Sequence, residues 1–166
     1  MIVYLLRHGE TDAINNSDKM SKNVNLNKQG KQQIYNICNK LSEISEQPFL
    51  DKIFASPTLR TIETADIIRM NCNPDANIIT DYRLLNKVNE GETYVNNIRN
   101  FLNNIKKETG TIMLVTHGRI IKMIYSIILY GDIDISFLDG LSMDYGSISK
   151  FEYINDEFKF LEFNKL

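Results

Sequence analysis

Short unbroken apolar runs alternate, almost from end to end of this chain, with stretches whose apolar residues recur every three or four positions. Residues 2–6, 52–55, 77–80 and 111–115 are the runs, the last being the most apolar. Residues 2–6 read as a strand covered on both faces, where neither face meets water and nothing demands a polar residue at every second position, and the other three read as further strands. Between them fall Ile34, Ile37, Cys38, Leu41 and Ile44, then Leu59, Ile62 and Ala65. Val95, Ile98, Phe101, Leu102 and Ile105 follow, and later Ile120, Ile121, Ile124, Ile127 and Ile128. That spacing gathers apolar side chains on one side of a helix. Asn27 can cap the first helix, and Ser56-Pro57 can open the second, through about Met70. Residues 147–153 and 158–163, around Asn155-Asp156, have the pattern of a hairpin. The alternation predicts an α/β fold, a three-layer α/β/α sandwich on a mostly parallel mixed sheet, with the hairpin adding an antiparallel strand at one edge. A length of 166 residues suits one domain spanning 1–166.

Charge and composition exclude several functions. There are 19 Lys+Arg against 21 Asp+Glu, a formal net charge of −2, and no basic run, so a nucleic-acid partner is not expected. The two cysteines, Cys38 and Cys72, sit in apolar helical patterns and cannot form the dense framework of a disulfide-stapled scaffold. The apolar start runs straight into Arg7 and lacks the form of a signal peptide. The longest apolar stretch, 120–130, is interrupted by Lys122 and Ser126 and is too short to span a bilayer. A soluble cytoplasmic protein without a membrane partner is the expectation.

The chain's two histidines occupy matching places. His8 lies in Leu5-Leu6-Arg7-His8-Gly9 and His117 in Leu114-Val115-Thr116-His117-Gly118, each just past the carboxyl end of a predicted buried strand. Ligands of open α/β sheets bind outside those ends, so two neighbouring strands can aim both imidazoles into one crevice. The alternative is a pair of histidines with purely structural hydrogen bonds. Arg7 precedes the first histidine, and Arg60 follows the second predicted strand. Guanidinium groups hold phosphate oxygens bidentately and keep their charge. Taken singly, Arg60 reads as a solvated helix residue; taken with the histidines, it points to an anion pocket. Two histidines without a carboxylate pair or cysteine cluster do not make a zinc shell, so no metal is expected. Beside fixed cations a neutral imidazole can attack phosphorus, while the second histidine meets the charge developing on the equatorial oxygens.

These residues, in this order, resemble the histidine phosphatase superfamily, the phosphoglycerate mutase-like family. The resemblance spans nearly the whole chain. Its carriers are Leu6-Arg7-His8-Gly9-Glu10-Thr11, Leu26-Asn27-Lys28-Gln29-Gly30, Ser56-Pro57-Thr58-Leu59-Arg60 with Thr64-Ala65, and Val115-Thr116-His117-Gly118. It implies a mixed sheet between helices and phosphoryl transfer without a metal or other cofactor. It further implies that His8 accepts the phosphoryl group and that Arg7, Arg60 and His117 form the phosphate pocket. Asn15 is implied as a substrate contact, and Glu10 and Glu63 as structural hydrogen-bond partners.

The chain departs from the family pattern at the general acid. Lys87 or Asn86 falls where a glutamate is expected, and the connection after it is shortened before Gly91-Glu92-Thr93. Glu92 is the expected replacement acid, with Glu90 as the alternative or as a substrate contact. The trimmed connection leaves little material for the lid that holds a mutase intermediate, which favours hydrolysis. The expected substrate is a small phosphomonoester or a phosphoprotein. A phosphate-binding module without turnover, and less readily a phosphoglycerate mutase, are the competing readings. The sequence does not specify the oligomeric state.

Overall fold

The computed structural model describes residues 1–12, 23–44, 50–86 and 91–162. Six strands form one sheet: β1 (Ile2–Arg7), β2 (Lys52–Ala55), β3 (Asn77–Thr80), β4 (Thr111–Thr116), β5 (Ile148–Ile154) and β6 (Glu157–Glu162). The helices are α1 (Lys28–Ile44), α2 (Leu59–Cys72), α3 (Gly91–Ile105), α4 (Gly118–Tyr130) and the short α5 (Ile135–Gly140), with one 3₁₀ turn at Tyr82–Leu84. Strand order is β3-β2-β4-β1-β5-β6. β1, β2, β3 and β4 are mutually parallel, and β5 runs antiparallel to β1. The predicted hairpin occupies one edge, with β6 outermost. Asn155 and Asp156 take φ of 51° and 62°, the left-handed pair that a two-residue hairpin turn requires.

Alternation along the buried strands builds two cores. Val3 and Leu5 of β1, with Ile112 and Leu114 of β4, pack against Ile98, Phe101, Ile120 and Ile124 of α3 and α4. Tyr4 and Leu6, with Met113 and Val115, face the opposite way onto Ile34, Ile37, Leu41 and Ile68 of α1 and α2. Every second side chain of a strand points to the same face, so a continuous apolar run feeds both cores. Each fully buried Leu or Ile contributes about 1.5–3 kcal/mol to holding these layers together.

Two helices start differently from the sequence reading or escape it. α2 begins at Leu59, because Ser56 remains an extension of β2, its N–H donating to the Val115 carbonyl at 3.0 Å. Thr61 Oγ1 then accepts from the Thr58 N–H at 3.3 Å and caps the helix. Leu59, expected inward, is exposed, while Arg60, Thr61, Thr64 and Ala65 are buried. α5 follows Asp134, whose carboxylate accepts from the Phe137 N–H at 3.0 Å. No helix among the described residues is long and apolar enough to cross a membrane.

The topology creates a crevice at the carboxyl edge. β1 and β4 are adjacent, yet the chain leaves β1 for α1 on one face and leaves β4 for α4 on the other. Such a divergence is where open α/β sheets bind ligands. Because β5 is antiparallel, it starts at this same edge, and the loop before it arrives there too.

Candidate active site

Register alone brings the histidines together. Arg7 pairs with Thr116, so His8 and His117 are the next residues on adjacent strands, and the His8 N–H donates to the Thr116 carbonyl at 3.0 Å. Their ring centroids lie 5.2 Å apart at an interplanar angle of 71°. Both rings are buried, yet both line a cavity of about 1110 Å³. Arg7, Arg60, Asn86, Arg119, Asp139 and Tyr145 are also on its wall.

Close backbone packing fixes the His8 strand end. A Cβ on Gly9 would stand 2.5 Å from the Gly30 carbonyl oxygen, and one on Gly30 would stand 2.2 Å from that of Glu10. Neither site has room for a side chain, so glycine at both lets the β1–α1 corner close. Asn27 caps α1 by accepting from the Gly30 N–H at 2.7 Å. Glu10 accepts from Asn27 Nδ2 at 3.0 Å, and Glu63 from the Leu26 N–H at 2.6 Å. Both carboxylates brace the corner, and neither lines the cavity. Thr64 Oγ1 accepts from the Gly9 N–H at 3.3 Å and donates to the Arg60 carbonyl at 2.7 Å, which ties β1 to α2.

The imidazoles are set up as neutral bases. His8 Nδ1 lies 2.8 Å from the Gly9 carbonyl oxygen, which can only accept, so Nδ1 carries the hydrogen and Nε2 the lone pair. Burial, aided by the charges of Arg60 and Arg7, outweighs the opposing Gly9 hydrogen bond and holds His8 at about 3 against an ordinary 6.5. Burial likewise pulls His117 well below that value, with His8, Arg60 and Arg7 adding to the shift. His117 Nε2 pairs with Ser56 Oγ at 2.9 Å, and its Nδ1 stands 3.5 Å from Arg60 Nη2. The Ser56 hydroxyl can donate or accept, so it supports either His117 tautomer as the charge in the pocket changes.

Arg60 is buried, and desolvation lowers its affinity for the proton, as it does for Arg7. Arg7 is clamped by the loop entering β5: Nη1 donates to the Met143 carbonyl, and the guanidinium carbon lies 3.8 Å over the Tyr145 ring. Arg7 Nε is buried without a hydrogen-bond partner among the described residues. Two desolvated cations beside two neutral imidazoles form a site whose electrostatics call for an anion.

A family model, the histidine phosphatase superfamily (branch 1), matches residues 3–90 and 86–166. The chain belongs to this superfamily. Solved structures share the fold of this histidine phosphatase superfamily member at low identity. The alpha-ribazole phosphatase from Shigella flexneri has a TM-score of 0.78 at 15% identity, covering 99% of this chain and 96% of its own. The phosphoserine phosphatase from Entamoeba histolytica, in complex with 3-phosphoglyceric acid, gives 0.75 at 19%, covering 99% and 97%. The protein histidine phosphatase SixA, complexed with tungstate, gives 0.73 at 15%, covering 97% and 94%. No curated protein sequence matches the chain.

Of the residues singled out in the sequence, Arg7, His8, Arg60 and His117 meet at this cavity. Glu92 does not join them: it is exposed in the first turn of α3, whose contribution to the wall is Tyr94 and Val95. Asn15, Glu90 and Lys87 lie outside the described residues. Among the described residues no three His, Cys, Asp or Glu side chains gather to hold a metal. Ser56, Thr64 and Tyr145 contact the site as well, beyond the residues whose roles the sequence suggests. The first two sit within the quoted Ser-Pro-x-x-Arg-x-x-x-Thr motif, so that pattern could have pointed to them; Tyr145 belongs to no motif.

Proposed function

We propose that this chain hydrolyses phosphomonoesters through a covalent phosphohistidine on His8. The observation that carries this reading is the backbone-oriented imidazole of His8 within one cavity with Arg7, Arg60 and His117. Arg7 and Arg60 bind the phosphate oxygens. His8 Nε2 attacks phosphorus opposite the ester oxygen, and the P–O bond breaks as the N–P bond forms. The arginines and His117, backed by Ser56, stabilise charge on the three equatorial oxygens. Water then attacks the phosphohistidine, releasing inorganic phosphate and restoring neutral His8. The reaction is metal-independent in this proposal, because the chain itself supplies the positive charge.

The substrate is a small phosphorylated metabolite or a phosphorylated protein side chain. The similar structures include phosphatases named for both classes, which supports this reading. The pattern of the chain is that of a cytoplasmic protein, and no nucleic acid or membrane has a part in the reading. One feature favours a second reading, a phosphate-binding module with little turnover: Asn86, at the place expected for an acid, lines the cavity.

The test is steady-state hydrolysis of p-nitrophenyl phosphate, sugar phosphates, nucleotides, phosphoglycerates and phosphohistidine peptides. The parent is expected to release phosphate from at least one, and His8→Ala from none. An unchanged rate in His8→Ala overturns the nucleophile, and binding of phosphate without any turnover establishes the module.

A further inference from the structure

Hydrolysis of an alkyl ester needs a proton for the departing oxygen, and the described wall of the cavity restricts its source. Asp139 is the one carboxyl group among the described lining residues, and it lies exposed on α5. Tyr145 is placed quite differently. Its ring centroid is 5.5 Å from that of His8, and its face lies 3.8 Å beneath the Arg7 guanidinium carbon.

The backbone holds it there. Asp144 to Ser147 form a turn closed by the Ser147 N–H donating to the Asp144 carbonyl at 3.1 Å, with Gly146 at φ 71° in the third position. The Gly146 N–H donates to the His8 carbonyl at 3.2 Å and the Arg7 N–H to that of Ser147 at 2.9 Å, so the turn is pinned to the strand that carries the nucleophile. Negative charge on the Tyr145 oxygen would favour the protonated forms of both Arg7 and Arg60, which puts the phenol within electrostatic reach of each.

We propose that Tyr145 is the proton donor to the leaving group, the role for which the family resemblance leads one to expect a glutamate; this rests on the phosphohistidine reading above. As His8 Nε2 bonds to phosphorus and the P–O ester bond breaks, the Tyr145 O–H proton passes to the alkoxide. The alcohol leaves, and a phenolate remains beside two guanidiniums. In the second half-reaction the phenolate takes a proton from the attacking water, the N–P bond breaks, and inorganic phosphate departs. A phenol is a far stronger acid than an aliphatic alcohol, so the first transfer runs downhill.

The test compares kcat/KM for p-nitrophenyl phosphate, whose leaving group needs little protonation, with that for a phosphorylated aliphatic alcohol. Tyr145→Phe keeps the ring under Arg7 and deletes only the hydroxyl. General-acid catalysis contributes about 10²–10⁴-fold, so the alkyl-to-aryl ratio is expected to fall by about 10²-fold or more. An alkyl rate equal to the parent's, or equal losses on both esters, overturns the assignment. Inhibition by inorganic phosphate reports the pocket: if Tyr145→Phe no longer binds it, Tyr145 is a prop for Arg7 and the proposal fails. A parent that hydrolyses neither ester defeats the phosphatase reading and this one together, whereas a parent that hydrolyses both and is matched by Tyr145→Phe defeats this one alone.

Discussion

Burying two neutral imidazoles has a consequence for stability that can be read without any substrate. In the unfolded chain a histidine titrates near 6.5, whereas His8 in the folded protein is held at about 3. Between those values the unfolded state takes up a proton and the folded state does not. The contribution of neutral His8 to stability is therefore fully present above 6.5 and is lost as the pH falls through that value toward 3. One pH unit is worth about 1.4 kcal/mol, so acidifying from neutrality to about pH 5 removes about 2 kcal/mol through His8 alone. His117 acts in the same direction. His8→Gln removes the titrating group while leaving the exposed carboxylates untouched, so their acid dependence cancels in the comparison. Urea unfolding at about pH 7.5 and about pH 5 should show the parent losing about 2 kcal/mol more than His8→Gln. Parallel losses in the two proteins would refute the claim that His8 is held neutral by its surroundings.

Three further substitutions probe the frame and the pocket. Gly30→Ala drives a methyl to 2.2 Å from the Glu10 carbonyl oxygen, a backbone atom that cannot swing aside, and should cost about 2 kcal/mol or more by chemical denaturation. Arg60→Lys keeps the charge but loses the bidentate fork, and should lower kcat by about 10²-fold with the fold intact by circular dichroism. Glu92→Gln alters an exposed side chain outside the cavity wall and should leave alkyl-phosphate turnover within about twofold of the parent; a loss of about 10²-fold would restore Glu92 as the acid.

Which parts of this arrangement the chain announces follows from what each part depends on. β1 and β4, and with them the two histidines, are legible because buried parallel strands need continuous apolar runs whose ends place His8 and His117, whereas β3 lies mostly exposed at the sheet edge. The hairpin is legible in Asn155-Asp156, since both residues tolerate positive φ. The inward face of α2 is misread for a physical reason: a helix that floors an anion pocket buries Arg60, Thr61 and Thr64, so its apolar periodicity gives way where it meets the site. Leu59 then looks like core and is not. Tyr145 is invisible because its position depends on β5 running antiparallel and delivering its entry loop to the carboxyl edge. α5 is short, and its cap at Asp134 is the only local signal it offers.

Turnover by the proposed route passes through one transient bond, between phosphorus and Nε2 of His8. Rapid acid-free quenching of the protein with excess p-nitrophenyl phosphate, followed by intact-mass and peptide mass spectrometry, tests it directly. An adduct of one phosphoryl group on the peptide carrying His8, stable to alkali, lost in acid and absent from His8→Gln, is the predicted result. A phosphoryl group on any other residue, or turnover in the parent with no trapped adduct under burst conditions, would contradict it.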